Sequence, residues 1–89
     1  MNILITGCAG FIGFHTCETL LKNRKIKIYG IDNLNNYYDV NLKKNRLKIL
    51  KNHKNFLFKK FDLINYVRLS STVKENRIKI IIHLAAQAG

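Results

Sequence analysis

The sequence is poor in three things: cysteine, acidic side chains and long apolar runs. Two cysteines, Cys8 and Cys17, are too few for a disulfide framework. With His15, His53 and His83 they show no metal-ligand spacing, so no metal site is expected. Both cysteines read as small reduced packing residues, His15 and His53 as helix residues, and His83 as a packed residue at a strand end. No stretch approaches the roughly 20 apolar residues of a membrane span. The first residues also lack the basic region of a secretory signal, so a cytoplasmic protein with no membrane partner is expected. Five acidic against sixteen basic residues leave a formal net charge of +11. The excess is scattered over nearly every segment after Leu21 and carries no nucleic-acid motif, so it reads as solvated surface and a nucleic-acid partner is not expected. Its densest stretch, Leu42 to Lys54, keeps open a second class of function, a basic module for polyanions.

What is present is ordinary globular material: 89 residues, 47% hydrophobic and 24% charged, enough for one small domain. Apolar periodicity alternates between strand-like and helix-like runs. Strands are expected at Asn2 to Thr6, Lys25 to Ile31, Asn55 to Phe61 and Lys79 to Leu84. Between them fall helices at Phe11 to Asn23, with Gly13, Cys17, Leu20 and Leu21 on one face, and at Val40 to about His53, with Val40, Leu47 and Leu50 inward and the charges on the solvent side. A third helix opens at Asn65, a good N-cap, and carries Tyr66, Leu69 and Val73 along one stripe. Regular alternation with near-continuous apolar strands predicts an α/β fold, a Rossmann-like doubly wound parallel sheet. The chain stops after a strand, where a helix would follow. It therefore reads as the N-terminal half of such a sheet.

Between the first strand and the first helix stand three glycines at even spacing, Gly7, Gly10 and Gly13. Unpaired N–H groups at a helix start, together with the helix dipole, seat a pyrophosphate when no side chain holds it off. Gly7 would permit the tight turn, Gly10 the approach of the phosphates, and Gly13 close packing of the helix. The pattern G-x-x-G-x-x-G is one residue wider in its first half than the commonest dinucleotide fingerprint, so its context matters. That context includes Asp32 at the end of the second strand, about 20 residues after Gly13, the spacing of an acid that binds the adenosine ribose. Its other available role is to cap the next helix as a turn aspartate. An acid there also favours NAD over NADP, because it would repel a 2′-phosphate and no arginine stands beside it.

With those residues in place the whole chain resembles the extended short-chain dehydrogenase/reductase family, and within it the NAD-dependent nucleotide-sugar epimerases. The pieces are "TGCAGFIG" (Thr6 to Gly13), "DNLNNYYD" (Asp32 to Asp39), "FDL" (Phe61 to Leu63) and "HLAAQAG" (His83 to Gly89). The resemblance implies that Phe11 and Ile12 lie along the pyrophosphate, and that Asp32, Asn33 and Asn35 surround the ribose. Asp62 and Leu63 would flank the adenine, Leu84, Ala85 and Ala86 would line the cofactor, and Gln87 and Ala88 would approach the nicotinamide. The more selective "NNYYDVNLKKNRL" (Asn35 to Leu47) is similar to the UDP-glucuronate 4-epimerase branch. A nucleotide-sugar substrate and a homodimer for the complete protein come with that likeness, and a 4,6-dehydratase or decarboxylase of the same family is the alternative.

One departure bears on mechanism. The family's base is a tyrosine with a lysine four residues later, whereas Tyr29, Tyr37, Tyr38 and Tyr66 are followed at that distance by Asn33, Asn41, Leu42 and Ser70. No catalytic residue is therefore assigned within residues 1–89. They read as the N-terminal part of an NAD-binding Rossmann domain, with the rest of the sheet and a substrate domain absent. In the family the tyrosine takes the C4 hydroxyl proton while NAD accepts, and later returns, the C4 hydride.

Overall fold

A computed structural model describes residues 1–35 and 39–85. Four strands, β1 (Asn2–Thr6), β2 (Lys27–Asp32), β3 (Phe56–Lys60) and β4 (Ile80–His83), alternate with three helices, α1 (Phe11–Leu21), α2 (Val40–Lys51) and α3 (Tyr66–Glu75). The strands form one sheet in the order β3-β2-β1-β4, and every neighbouring pair is parallel. The expected doubly wound α/β sheet is therefore the observed one.

Strand alternation sorts the side chains into two layers. Ile3, Ile5 and Ile28 pack with Phe14, Cys17 and Leu21 of α1 and with Leu47 and Leu50 of α2. Leu4, Ile31 and Phe61 point to the other face, where Leu69 and Val73 of α3 close over them. Leu4 and Ile5, adjacent in the central strand, are both fully buried because each faces a different helix layer.

Local chemistry sets the element ends. α2 starts at Asp39, whose carboxylate accepts from Asn41 N and Leu42 N, so the cap is Asp39 and not Asp32. α3 starts at Asn65 as expected, with its side chain accepting from Arg68 N. The link from α1 to β2 is a turn in which Asn23 accepts from Lys25 N and Ile26 N, which ends α1 at Leu21 and delays β2 to Lys27. Asn55, just before β3, donates from its side chain to the carbonyls of Leu21 and Ile26, tying the start of β3 to both sides of that turn.

Four expectations need correction. Tyr66, the first residue of α3, is 74% exposed, and the inward side of the helix is Leu69, Thr72 and Val73. His53 lies in the turn beyond α2. His83 is exposed rather than packed, since β4 is an outer strand among the described residues. The charges of α2 do not all face solvent: Lys43 is buried, with consequences for the site.

Candidate functional site

Parallel strands bring the segments that follow them to one edge, the usual place for ligands in open α/β sheets. Gly7 to Gly13 follow β1, Asn33 to Asn35 follow β2, Asp62 and Leu63 lie beyond β3, and Leu84 and Ala85 leave β4. Ala86, Gln87 and Ala88 lie outside the described residues, as do positions 36–38 of the Asn35 to Leu47 segment.

The three glycines do different work. Gly7 has φ +70°, a left-handed conformation that side chains resist, and a Cβ there would meet Ala85 N at 2.8 Å. A Cβ on Gly13 would run into the carbonyl of Gly7, so α1 packs closely on the turn itself. Gly10 is the N-cap of α1, and a Cβ on it would touch only Gly7 O, at 3.3 Å. A Cβ on Gly10 would thus need the Gly7 carbonyl to give by a few tenths of an ångström, a milder conflict than at Gly7 or Gly13, and it would stand at the open start of α1. No side chain caps α1, its first turn holds no acid, and Phe11 and Ile12 there are about two-thirds exposed. This helix start, bare of side-chain caps, beside glycine backbone fits a diphosphate.

Asp32 is 6% exposed at the end of β2. One carboxylate oxygen accepts from Ala9 N at 3.1 Å, and the other accepts from Leu34 N at 2.8 Å and lies 3.6 Å from Lys43 Nζ. The hydrogen bond to Ala9 joins the acid directly to the glycine turn. Asn33 Nδ2 reaches Asp62 Oδ2 at 3.5 Å, linking the exits of β2 and β3, and Asp62 also accepts from Ile64 N. Asn35 Oδ1 is buried without a hydrogen-bond partner among the described residues, an acceptor that an incoming hydroxyl or amine would satisfy. Leu63 and Leu84 are half-buried, each packed against one of the two cores.

The buried thiols shape the turn from behind. Cys8 sits where Gly30 of β2 leaves room: a Cβ on Gly30 would meet Cys8 Sγ and Phe56 at 2.8 Å. Burial pushes the Cys17 thiol up to about 12 and raises Cys8 further, so both remain protonated, as packing residues should. A separate cleft of about 720 Å³ at the opposite edge is lined by Lys22, Arg24, Lys27, His53 and Lys54. These groups gather near the C-terminal ends of α1 and α2, where cations complement the helix dipoles.

A family model described as GDP-mannose 4,6 dehydratase matches residues 4–89. The chain belongs to that family, within the extended short-chain dehydrogenases/reductases. A UDP-glucuronate 4-epimerase of Thermodesulfobacterium geofontis is 48% identical over 97% of this chain, which corresponds to 26% of that relative. UDP-glucuronic acid 4-epimerase from Bacillus cereus, solved with UDP-glucuronic acid and NAD, superposes with a TM-score of 0.89 at 38% identity, covering all of this chain and 27% of that one. dTDP-glucose 4,6-dehydratase from Bacillus anthracis, solved with NAD, gives 0.80 at 34% identity over 98% of this chain and 27% of its own. The chain thus spans about a quarter of the length of these family members.

Two basic residues of the site were not among those expected from sequence. Lys43 pairs with Asp32 from the α2 side, and Arg46 donates to Ala9 O at 3.1 Å while lying 5.8 Å from the centre of the Phe11 ring. Both lie in the family segment Asn35 to Leu47. The usable signal was spacing: Lys43 stands four and seven residues before Leu47 and Leu50, on the stripe that faces the sheet. Asp32, the acid expected to favour NAD, has a lysine beside it, although no arginine contacts it among the described residues.

Proposed function

We propose that this chain is the NAD-binding N-terminal part of a cytoplasmic nucleotide-sugar 4-epimerase acting on UDP-glucuronate and UDP-galacturonate. The observation that carries the reading is the hydrogen bond from Ala9 N to Asp32, which fuses the diphosphate seat and the ribose-binding acid into one rigid unit. In this reading the N–H groups at the start of α1 hold the diphosphate, and Asp32 with Asn33 and Asn35 surrounds the adenosine ribose. Asp62 and Leu63 flank the adenine. Leu84, Ala85 and Ala86 line the path toward the nicotinamide, which Gln87 and Ala88 approach. NAD, when bound, supplies reversible hydride acceptance at the sugar C4. The residues of this chain bind, orient and exclude water; the proton-transferring tyrosine belongs to sequence beyond them. Two buried free thiols agree with a reducing compartment.

The Asn35 to Leu47 segment favours the epimerase over a 4,6-dehydratase, and the sequence and structural similarity to UDP-glucuronate 4-epimerases supports the same choice. The complete protein, proposed as a homodimer, should convert UDP-glucuronate without net accumulation of NADH. Chromatography of products from UDP-glucuronate and UDP-glucose decides the matter. Conversion of UDP-glucose alone would move the proposal to neutral-sugar epimerases, and a 4-keto-6-deoxy product would make it a dehydratase. Affinity for a polyanion that collapses with salt, without affinity for NAD, would favour the basic-module reading instead.

A further inference from the structure

Sixteen basic residues face five acids, and the five acids all stand elsewhere than the cleft at the opposite edge of the sheet. Asp32 is paired with Lys43, Asp39 caps α2, and Asp62 accepts from Ile64 N, all near the edge where the strands end. Glu18 lies within α1, and Glu75 closes α3 on the other face of the sheet. The cleft, of about 720 Å³, is lined instead by Lys22, Arg24, Lys27, His53 and Lys54. They come from the turns that follow α1 and α2 and from the start of β2.

Helix capping does not account for these cations. The carbonyls at the two helix ends already have donors: Leu20 O accepts from Asn23 N, Leu21 O from the Asn55 side chain, Ile49 O from Asn52 N and Leu50 O from His53 N. Lys22, Arg24 and Lys54 are exposed, and their side chains make no hydrogen bond or ion pair among the described residues. Lys27 is less free, because its ammonium lies 5.3 Å from the centre of the Tyr29 ring. Two helix ends together offer about one negative elementary charge, roughly half at each. Three unpaired cations exceed that, and their repulsion opposes the compact state.

The backbone beneath them is fixed. Asn55 also donates to Ile26 O at 2.8 Å, and Asn23 Oδ1 accepts from Lys25 N at 3.0 Å, so the turn that carries Lys22 and Arg24 is tied to the segment that carries His53 and Lys54. Long side chains on such a frame can close on one anion without rearranging the fold. We propose that this cleft binds a compact anion with two or more phosphate groups, at a site separate from the dinucleotide edge. Three cations call for about three negative charges on one small molecule, and a single phosphate, at about −2, falls short. Arg24 brings the planar fork that suits phosphate oxygens, and the two lysines bring point charges. No Phe, Tyr or Trp lines the cleft, so a nucleic-acid base has no platform to stack on. Its one aliphatic lining residue, Leu21, is 2% exposed, which gives a lipid nothing to enter. Free polyphosphate and the tail of a nucleoside triphosphate share the required chemistry.

The site does not rest on the NAD reading, and its test is independent of it. Equilibrium dialysis of the chain against inorganic tripolyphosphate, at constant ionic strength, should show saturable binding of one anion. Lys22→Gln, Arg24→Gln and Lys54→Gln combined should weaken it about tenfold, as three exposed ion pairs of a few-fold each would. Lys44→Gln, Lys48→Gln and Lys74→Gln combined, exposed positions outside the cleft, should change it little. An equal loss in both triple variants would mean attraction to overall charge and would overturn the proposal, as would citrate binding as tightly or no saturable binding at all. ATP binding that falls in the cleft variant supports the site with a nucleotide as the source of the phosphates. Tripolyphosphate binding that falls there while ATP binding does not supports it with free polyphosphate. Without any anion, the urea midpoint of the cleft variant should equal or exceed that of the unmutated protein. A lower midpoint would make the three cations helix-end stabilisers and overturn the assignment, and a parallel loss of NAD affinity in the cleft variant would overturn the separateness of the site.

Discussion

Lys43 Nζ lies 3.6 Å from Asp32 Oδ1, and both side chains are nearly withdrawn from water, at 11% and 4% exposure. In such surroundings a cation and an acid depend on each other, because removing either leaves a buried charge without its partner. The pair also sets the cofactor expectation. A carboxylate alone repels a 2′-phosphate, but here the countercharge is already installed beside it.

Asp32→Ala should weaken NAD by about tenfold or more, since hydrogen bonds to a charged acceptor contribute about 1.5 to 3 kcal/mol. With Lys43 left uncompensated, the same substitution should raise affinity for NADP relative to NAD. Titration of both cofactors against both proteins measures this. Equal or tighter NADP binding by the unmutated protein would refute the role given to Asp32.

The glycines should separate by substitution to alanine. Gly7→Ala meets a left-handed backbone and the β4 exit, and Gly13→Ala meets the Gly7 carbonyl, so each should cost about 2 to 3 kcal/mol of stability. Gly10→Ala presses only on Gly7 O, at 3.3 Å, and should cost less, about 1 kcal/mol, yet it should lower NAD affinity as much as the others. Urea midpoints and cofactor titrations on the three variants test the division. A parallel loss of both properties at all three positions would argue against it.

The thiols give a pH prediction. Burial raises Cys17 from 9.0 to about 12, and Cys8 rises too, so the folded state holds protons that the unfolded chain releases earlier. Their contribution is complete below about pH 9 and declines as pH rises toward 12. Urea midpoints should fall over that window, and less steeply in Cys17→Ala. Both thiols should resist an aromatic disulfide reagent in native protein and react on unfolding. Rapid labelling of the native protein would contradict the burial.

Residues 1–89 by themselves should turn over no nucleotide sugar, because none of their tyrosines has a lysine four residues on. They should also self-associate, since β4 presents Ile80 at 42% and Ile81 at 54% exposure on an edge unpaired among the described residues. Sedimentation across a concentration series, with an activity assay, tests both. A strictly monomeric chain would count against the edge as an adhesive surface.

Most of the architecture was readable because apolar spacing reports which side of an element meets the core. Leu69 and Val73, or Leu47 and Leu50, needed no tertiary information. Lys43 escaped because it occupies a core-facing position with a charge, and only the later meeting with Asp32 explains why that is tolerated. Thr6 with His83 was illegible for another reason: their contact follows from the register between the first strand and the last, and nothing local announces it. His83 itself read as packed because strand position was legible while strand order was not. The glycine turn was readable in outline, but the separate jobs of Gly7, Gly10 and Gly13 emerge only when a methyl group is placed on each.

The strand order also governs when this fold can come together. β1 is the earliest of the four strands, but it lies between β2 and β4, and β4 is the last. As the chain leaves the ribosome, β1 can pair with β2 early, while its other side waits until α2, β3 and α3 have been made. Throughout that interval a strand carrying the fully buried Leu4 and Ile5 keeps one ladder of backbone groups open. The nascent protein therefore passes through a stage in which this inner strand is half-dressed, and that interval is when a chaperone would be most useful to it.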